Sequence, residues 1–297
     1  MDGNELQDFW AEVRRELDAV PIEAETERVE PEPDRLVQTW RVTLTGLGGV
    51  RFSACLTLPD LGREARPLPA VMYTPGYGGD TPHTVMSGLC YDKGIAVLTV
   101  YPRGQGESKL HWTVPEGQTK LTMGLDDARD QYYRAGYADC LRGIDYLSSH
   151  EEIDAERIGV IGLSQGGGLT LATAALDPRV KCAVAHEPFL CNYPVAVETA
   201  TTGPYLELIN LFAERPDIRD RALETLAWFD PVNLARLITC PTFISIGLAD
   251  TTCPAETIRP VYEQIGALRG LIEIPDAGHG WHYVYRDFDD LWLRRHL

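Results

Sequence analysis

The hydrophobic positions of the chain change period several times, and the changes divide it into predicted strands and helices. Apolar and polar residues alternate over 40–44 and 50–58, which predicts two antiparallel strands. Continuous apolar runs predict buried parallel strands at 70–74, 95–100, 157–161, 241–246 and 271–274. Strands that alternate with helical segments predict an α/β fold, with a mostly parallel central sheet and helices on both of its faces.

Helical spacing marks the segments between these strands. Apolar residues recur every three or four positions over 133–147 and predict a long amphipathic helix before the strand at 157–161. A shorter helix is predicted at 9–20. Residues 192–236 interrupt the alternation and predict two or three further helices. We therefore expect a single domain over 1–297 that carries a small helical insertion at 192–236.

A serine stands at a predicted strand-to-helix turn, within Gly162-Leu163-Ser164-Gln165-Gly166. The pattern G-x-S-x-G in this setting is typical of a nucleophile elbow, whose strained turn exposes the serine hydroxyl. Glycine is needed at both ends of the pattern because a side chain there would collide with neighbouring elements. The Gln165 amide then lies at a helix N-terminus, where free N–H groups favour a developing oxyanion.

A serine hydroxyl needs a base to accept its proton, so the elbow predicts a histidine and an acid later in the chain. Asp250 and His279 follow the last two predicted strands, and open α/β sheets place their sites at such strand ends. Asp276 is a rival acid, although its position three residues before His279 favours a role in the turn. His282 could form a metal pair with His279, but no third ligand has suitable spacing, so we expect no metal.

The second donor of an oxyanion hole is expected in the turn Pro75-Gly76-Tyr77-Gly78-Gly79, which follows the strand at 70–74. The Tyr77 amide is the candidate because the neighbouring glycines let the backbone approach a ligand closely. The alternative is a tight glycine turn that holds a packed tyrosine.

With these motifs the sequence resembles the acetyl xylan esterase and cephalosporin C deacetylase family, which is carbohydrate esterase family seven. The most selective similarities are the Ser-Gln-Gly of the elbow, Arg103-Gly104-Gln105-Gly106, and Gly247–Pro254 around Asp250. Further similar segments run along nearly the whole chain: Phe9-Trp10, Thr45–Gly49, Gln131–Arg134, Pro188–Cys191 and Phe229–Ala235. One position departs from the family, since Gly280 follows His279 where the family has glutamate.

The resemblance implies an α/β-hydrolase fold and a serine esterase that removes acetyl groups from acetylated sugars, oligosaccharides or related small esters. It implies Ser164 as nucleophile, His279 as base and Asp250 as its orienting acid, with the amides of Tyr77 and Gln165 binding the oxyanion. The residues alone lead to the same assignment. The resemblance also implies that the insertion at 192–236 lies near the active site and caps it. It further implies homo-oligomers, commonly hexamers whose sites face an inner cavity. Because position 280 lacks the glutamate carboxylate, we expect a smaller or differently packed assembly.

Arg103 and Gln105 are expected to support the site. Arg103 could place a positive charge at the mouth of the site, or it could form an ion pair that fixes the loop. The second interpretation is favoured because paired arginines commonly serve geometry. The segment Arg103–Gly106 is not a dinucleotide-binding loop, since the third glycine and the helix of that fingerprint are absent, and we expect no cofactor.

Composition bounds the partners and the compartment. A formal net charge of −17, with acidic clusters at 23–34 and 126–130, argues against nucleic acids and anionic membranes, because both select basic surfaces. The seven cysteines form no C-x-x-C pair, which favours buried free thiols in a reducing compartment. The first residues resemble no signal peptide, and no run of eighteen apolar residues occurs, so we expect a cytoplasmic protein.

Other activities fit the same motifs. A general short-chain carboxylesterase or a thioesterase would use the same residues on the same scaffold. A peptidase of this type usually carries a separate propeller domain, for which the chain has no room. A catalytically silent binding protein is the alternative from another class, and the complete set of Ser164, Asp250 and His279 argues against it.

Overall fold

The sheet and the helices that cover it are seen in a computed structural model, which describes residues 3–29, 37–60, 67–79 and 86–297. Part of the acidic cluster expected at 23–34 lies outside these residues. Within them, nine strands form one sheet with helices on both faces, which confirms the predicted α/β class.

The sheet is antiparallel at one edge and parallel across the rest. Its strands are β1 (Glu25–Arg28), β2 (Val37–Thr45), β3 (Arg51–Pro59), β4 (Leu68–Thr74), β5 (Ala96–Tyr101), β6 (Ile153–Leu163), β7 (Val180–His186), β8 (Thr242–Gly247) and β9 (Arg269–Ile274). They lie in the order β1-β2-β3-β5-β4-β6-β7-β8-β9, and every pair from β5 to β9 is parallel. The pairs β1–β2, β2–β3 and β3–β5 are antiparallel.

The helices fill the connections between the strands. They are α1 (Gly3–Asp18), α2 (Ser87–Lys93), α3 (Tyr132–Ser149), α4 (Gln165–Leu176), α5 (Tyr193–Thr199), α6 (Tyr205–Glu214), α7 (Arg219–Leu226), α8 (Pro231–Leu234), α9 (Ala255–Gln264) and α10 (Tyr285–His296). Residues 192–236 hold the four short helices α5–α8, where two or three were predicted. The additional helix, α8, starts because the Asp230 carboxylate accepts the Val232 N–H at 2.9 Å and caps it.

Both faces of the central strands are buried. Along β4, Ala70 and Met72 belong to one hydrophobic core, and Val71 and Tyr73 belong to the other. Helices α1, α3 and α4 cover the first core, and α2 and α10 cover the second. Burial on two faces explains why these strands appear in the sequence as continuous apolar runs. The sites of open α/β sheets lie at the carboxyl ends of such strands.

All seven cysteines are unpaired and buried, as their spacing predicts. Burial raises the pKa of these thiols, to about 12 for Cys55 and Cys90 and to about 11 for Cys240. Cys240 lies just before β8. In the described part of the chain, no helix combines the length and the apolar character that crossing a membrane requires.

Gly168 sets how closely α4 approaches the chain after β7. A Cβ at this position would lie 2.2 Å from the carbonyl oxygen of Phe189. We expect Gly168→Ala to destabilise the fold by about 1–3 kcal/mol, because overpacking against backbone outweighs the gain of about 1 kcal/mol in helix propensity. Thermal unfolding should then show a melting temperature several degrees lower, at roughly 2–4 °C per kcal/mol.

Gly266→Ala is the matched control, because no heavy atom lies within 4 Å of the added Cβ. Its melting temperature should stay near that of the wild type. A melting temperature of Gly168→Ala equal to the wild-type value would contradict the close packing of α4.

Candidate active site

Ser164 alone makes the turn between β6 and α4. Its backbone has φ 59° and ψ −123°, a region that residues with side chains rarely adopt. The Ser164 N–H donates to the carbonyl oxygen of His186 at 2.9 Å, and its own carbonyl oxygen accepts from the Phe189 N–H at 2.9 Å. The end of β7 therefore holds the strained turn in place on both sides.

Glycine is required at both ends of the elbow motif, as predicted. A Cβ on Gly166 would lie 2.0 Å from the carbonyl oxygen of Thr74, and a Cβ on Gly162 would lie 2.3 Å from the carbonyl carbon of Gly166. Both contacts are to backbone, which cannot rotate away as a side chain does. The turn is consequently compressed between β4 and β6, and Ser164 is pushed out at the end of the sheet.

Ser164, His279 and Asp250 form a continuous hydrogen-bonded chain. Nε2 of His279 lies 2.9 Å from Oγ of Ser164, and Nδ1 of His279 lies 2.7 Å from Oδ2 of Asp250. Oδ1 of Asp250 accepts the N–H groups of Thr252 and Cys253 at 2.7 and 2.9 Å, which fixes the carboxylate toward the imidazole. Since an ionised carboxylate only accepts, Nδ1 carries the proton and Nε2 is free to accept from the serine hydroxyl.

The other polar residues beside His279 are placed differently. Asp276 is exposed in the turn after β9. His282 directs Nε2 to the carbonyl oxygen of Gly278 at 3.0 Å. Among the described residues, Cys253 is the only one whose ligand atom groups with those of Asp250 and His279 as a possible metal set, within 4.8 Å. Burial raises the pKa of the Cys253 thiol well above its usual value, which disfavours the thiolate that a metal needs.

The pKa of His279 reflects two opposing effects. Burial lowers the pKa of His279, because only 24% of the side chain is exposed and desolvation disfavours the imidazolium. The hydrogen bond to Asp250, the charge of Asp250 and the charge of Glu187 together outweigh the burial, so that the pKa is raised above its ordinary value of 6.5. His279 thus becomes a stronger base in the folded protein.

Among the described residues, neither the Tyr77 N–H nor the Gln165 N–H donates a hydrogen bond to another part of the protein. The Tyr77 carbonyl oxygen accepts from Nζ of Lys120 at 2.8 Å and from Nε2 of Gln105 at 3.2 Å. These bonds fix the orientation of the peptide after Tyr77. Gln105 is fully buried and supports the turn directly.

The side chains next to these amides are also held. The Tyr77 hydroxyl donates to Oε2 of Glu207 on α6 at 2.6 Å, and its ring packs edge-on against Phe189 with 5.8 Å between centroids. The Gln165 side chain accepts from the Tyr133 hydroxyl at 3.1 Å. Helix α6, which lies far along the chain, therefore contacts the turn at 75–79, where the sequence predicts an oxyanion donor.

Arg103 forms a buried ion pair with Asp139 on α3. Nε and Nη2 of Arg103 donate to the two carboxylate oxygens at 2.9 and 2.7 Å, and the Arg103 N–H donates to the same carboxylate at 2.9 Å. Nη2 also donates to the carbonyl oxygen of Leu47 at 3.1 Å, and the Tyr132 hydroxyl donates to the Arg103 carbonyl oxygen at 2.7 Å. The guanidinium is thus buried in an ion pair that holds the loop next to Gln105.

Glu187 is a polar residue of this region that the sequence analysis missed. It directly follows β7, is fully buried, and accepts the Gly280 N–H at 2.7 Å through Oε2. The same oxygen lies 3.4 Å from Nδ1 of His279. The sequence did contain a signal for Glu187, because the residue stands at the carboxyl end of a buried parallel strand. Asp250 was selected on the ground that it follows such a strand.

A mostly parallel sheet, a serine on a strand-to-helix elbow and a histidine bonded to both that serine and a carboxylate define an α/β-hydrolase. The chain belongs to the acetyl xylan esterase family, a family of carboxylic-ester hydrolases, whose model matches residues 2–294.

Individual relatives agree with this family. The acetyl esterase Axe7A of Xylanibacter ruminicola is 33% identical over 246 residues, which are 79% of this chain and 54% of that protein. The chain therefore spans about half the length of this curated relative. Among solved structures, an acetyl xylan esterase from Paenibacillus sp. R4 matches with a TM-score of 0.91 and 30% identity, over all of both chains. Acetyl xylan esterase 1 from Thermoanaerobacterium sp. JW/SL YS485 matches with a TM-score of 0.89 and 25% identity, over 98% of this chain and 93% of that one.

The Arg103–Asp139 pair gives a test of how the loop before Gln105 is held. We expect Asp139→Asn to destabilise the fold by about 3–5 kcal/mol, because it leaves the buried guanidinium without its counter-charge. Urea unfolding should show a correspondingly lower midpoint. Asp217→Asn is the control, since its pair with Arg215 is exposed and should leave the midpoint unchanged. A midpoint for Asp139→Asn that equals the control would show that the pair does not stabilise the fold.

Proposed function

We propose that the protein is a serine esterase that removes acetyl groups from acetylated sugars, oligosaccharides or related small esters. The observation that most directly supports this proposal is the hydrogen-bonded chain from Asp250 through His279 to Ser164, with Ser164 at the strained elbow. Family membership supports the acyl-transfer chemistry, and the names of the similar esterases support acetyl esters as the substrate class.

The proposed mechanism follows from the hydrogen bonds of the site. Nε2 of His279 accepts the proton of Ser164 as Oγ attacks the ester carbonyl carbon, and Asp250 stabilises the imidazolium that forms. The amides of Tyr77 and Gln165 bind the oxyanion of the tetrahedral intermediate. His279 then gives the proton to the leaving alcohol oxygen, and an acyl-enzyme remains on Ser164. Water, deprotonated by His279, releases the carboxylic acid and regenerates the serine.

Residues 192–236 are proposed to be a helical insertion that covers the site and limits the acyl group. Glu207 of α6 bonds the Tyr77 hydroxyl, and the Thr201 N–H donates to the Thr251 carbonyl oxygen at 3.0 Å, beside Asp250. The segment thus contacts both the turn at 75–79 and the loop that carries Asp250. The buried ring of Phe189 packs against Tyr77. Bulky, fixed side chains next to the oxyanion turn support a small acyl group such as acetyl.

We also propose that the enzyme is a cytoplasmic homo-oligomer whose partner is the small acetylated substrate. The unpaired buried thiols support a reducing compartment. Two exposed aromatic side chains support self-association, because Trp281 and Tyr283, one and three residues after Gly280, are 45% and 89% exposed. The net charge of −17 is unfavourable for binding nucleic acids or anionic membranes.

Ser164→Ala tests the proposed function. We expect it to reduce kcat/KM for an aryl acetate by about three orders of magnitude or more, because only binding and the oxyanion donors remain. The fold should be retained, which circular dichroism and the melting temperature would check. Turnover near the wild-type value would remove Ser164 from the mechanism.

The same assay separates acetyl esters from the alternatives when acyl length is varied. Each added methylene costs roughly 1–3 kcal/mol in a filled pocket, so kcat/KM should fall steeply from acetate through butyrate to octanoate. Equal values, or values that rise with length, would favour a general carboxylesterase. Faster turnover of a matched acetyl thioester than of the oxygen ester would favour a thioesterase.

The raised pKa of His279 gives a pH prediction. Only the neutral imidazole can accept the serine proton, so kcat/KM should rise with pH and reach its plateau above the folded-state pKa. Because that pKa is raised, the midpoint of the rise should lie above the ordinary value of 6.5. A pH profile measured with an uncharged aryl acetate checks this. A rate that stays flat between about pH 5 and about pH 8 would rule out His279 as the base.

A further inference from the structure

We propose that Glu187 is a second acidic partner of His279, a positioning residue that supports the imidazole together with Asp250 and partly replaces Asp250 when it is removed. The proposal rests on the proposed esterase function, because it assigns a role at the same histidine.

The two carboxylates reach His279 from neighbouring strands. Asp250 lies in the loop after β8 and Glu187 directly follows β7, and these strands pair in parallel, so that both carboxyl ends lie at the same edge of the sheet. Nδ1 of His279 is 2.7 Å from Oδ2 of Asp250 and 3.4 Å from Oε2 of Glu187. A movement of about half an ångström would bring the second carboxylate into hydrogen-bond range of the same nitrogen.

Glu187 also holds the backbone next to the histidine. Its Oε2 accepts the Gly280 N–H at 2.7 Å, and its Oε1 accepts the Tyr285 hydroxyl at 2.7 Å. Gly280 has φ 145°, which residues with a side chain rarely adopt, so this contact depends on glycine at that position. The carboxylate therefore ties the loop that carries His279 to the end of β7.

Without these hydrogen bonds, the burial and the backbone conformation of Glu187 would both be unfavourable. The residue is fully buried and has φ 42°, and burial raises the pKa of its carboxyl despite the hydrogen bonds from Gly280 and Tyr285. Tyr285 is itself fixed, because its ring stacks on His186 at 4.1 Å between centroids. His186 bonds Asp289 on α10 at 2.7 Å. The surrounding structure thus over-determines the place of the Glu187 carboxylate.

The charged and titratable groups that face this pair of residues come from four segments. Asp250 and Cys253 face His279 from the loop after β8, and Glu187 faces it from the end of β7. His282 approaches Oε1 of Glu187 at 3.2 Å, and Tyr285 of α10 donates to the same oxygen. As the imidazolium forms during catalysis, two carboxylates are available to stabilise it at Nδ1. Removing the Glu187 charge should therefore weaken the base.

The first experiment compares Glu187→Gln with the wild type in the pH dependence of aryl acetate hydrolysis. Glutamine keeps the size and can still accept a hydrogen bond, but it lacks the charge. We expect the rising limb of kcat/KM to move to lower pH by about one unit, because the imidazolium loses a stabilising charge. The plateau should fall about tenfold, since the transition state loses the same stabilisation. Glu156→Gln, an exposed carboxylate paired with Lys181, is the control and should change neither.

The second experiment uses a double-mutant cycle with Asp250→Ala. Loss of the acid from a triad of this kind costs about 10⁴-fold when nothing replaces it. We expect Asp250→Ala to lose only about a hundredfold, and Asp250→Ala with Glu187→Gln to lose about 10⁴-fold, because the second change removes the replacement acid.

Two outcomes would overturn the proposal. One is a rising limb of kcat/KM that lies at the same pH in Glu187→Gln as in the wild type. The other is an equal loss of kcat/KM for Asp250→Ala alone and for Asp250→Ala combined with Glu187→Gln. Failure of the esterase function would appear differently, as wild-type hydrolysis that does not depend on Ser164. NMR titration of the His279 imidazole in Ser164→Ala needs no turnover. There, adding Glu187→Gln should lower the imidazole pKa by about one unit, and no change in that titration would also contradict the proposal.

Discussion

The steric compression at Ser164 is the constraint on which the rest of the site depends. Glycines at 162 and 166 let α4 start within van der Waals contact of β4 and β6, and no other residue type fits there. The compression fixes the serine in a strained backbone and aims its hydroxyl away from the sheet. It also fixes the Gln165 amide at the first turn of α4. The same few backbone contacts therefore position both the Ser164 hydroxyl and the Gln165 amide.

The other polar groups are positioned by the ends of three neighbouring strands. The loop after β8 is hydrogen-bonded to the end of β9 and to the loop that follows it. The Leu248 N–H donates to the carbonyl oxygen of Ile274 at 3.0 Å, and the Ala249 N–H donates to that of Ala277 at 2.9 Å. The end of β7 joins them through Glu187 and Gly280. Sites on such elements are more rigid than sites on isolated loops. Glu207 of α6 then bonds the Tyr77 hydroxyl, so that a helix far along the chain also contacts the turn at 75–79.

The fold and the contacts that join Ser164, His279 and Asp250 could be predicted because their sequence signals are local. A buried strand, a G-x-S-x-G turn and a helix lie within about twenty residues, and Asp250 and His279 each follow a strand with a clear apolar pattern. Strand β1 could not be predicted, since Glu25–Arg28 contains no apolar residue and forms only by pairing with β2. An ion pair of Arg103 was anticipated, but its partner Asp139 was not. Lys120 and Glu207 bond Tyr77 from distant segments, and only tertiary packing brings them together.

The seven buried thiols can report local unfolding of the protein. None is exposed, and burial raises the pKa of each of them, so a thiol reagent in solution finds no reactive group in the closed structure. Cys253 lies beside Asp250, whereas Cys140 lies within α3 and Cys55 within β3. The rates at which individual cysteines become labelled would therefore map local opening. They would distinguish loosening around the acid loop from unfolding of the sheet, without any introduced probe.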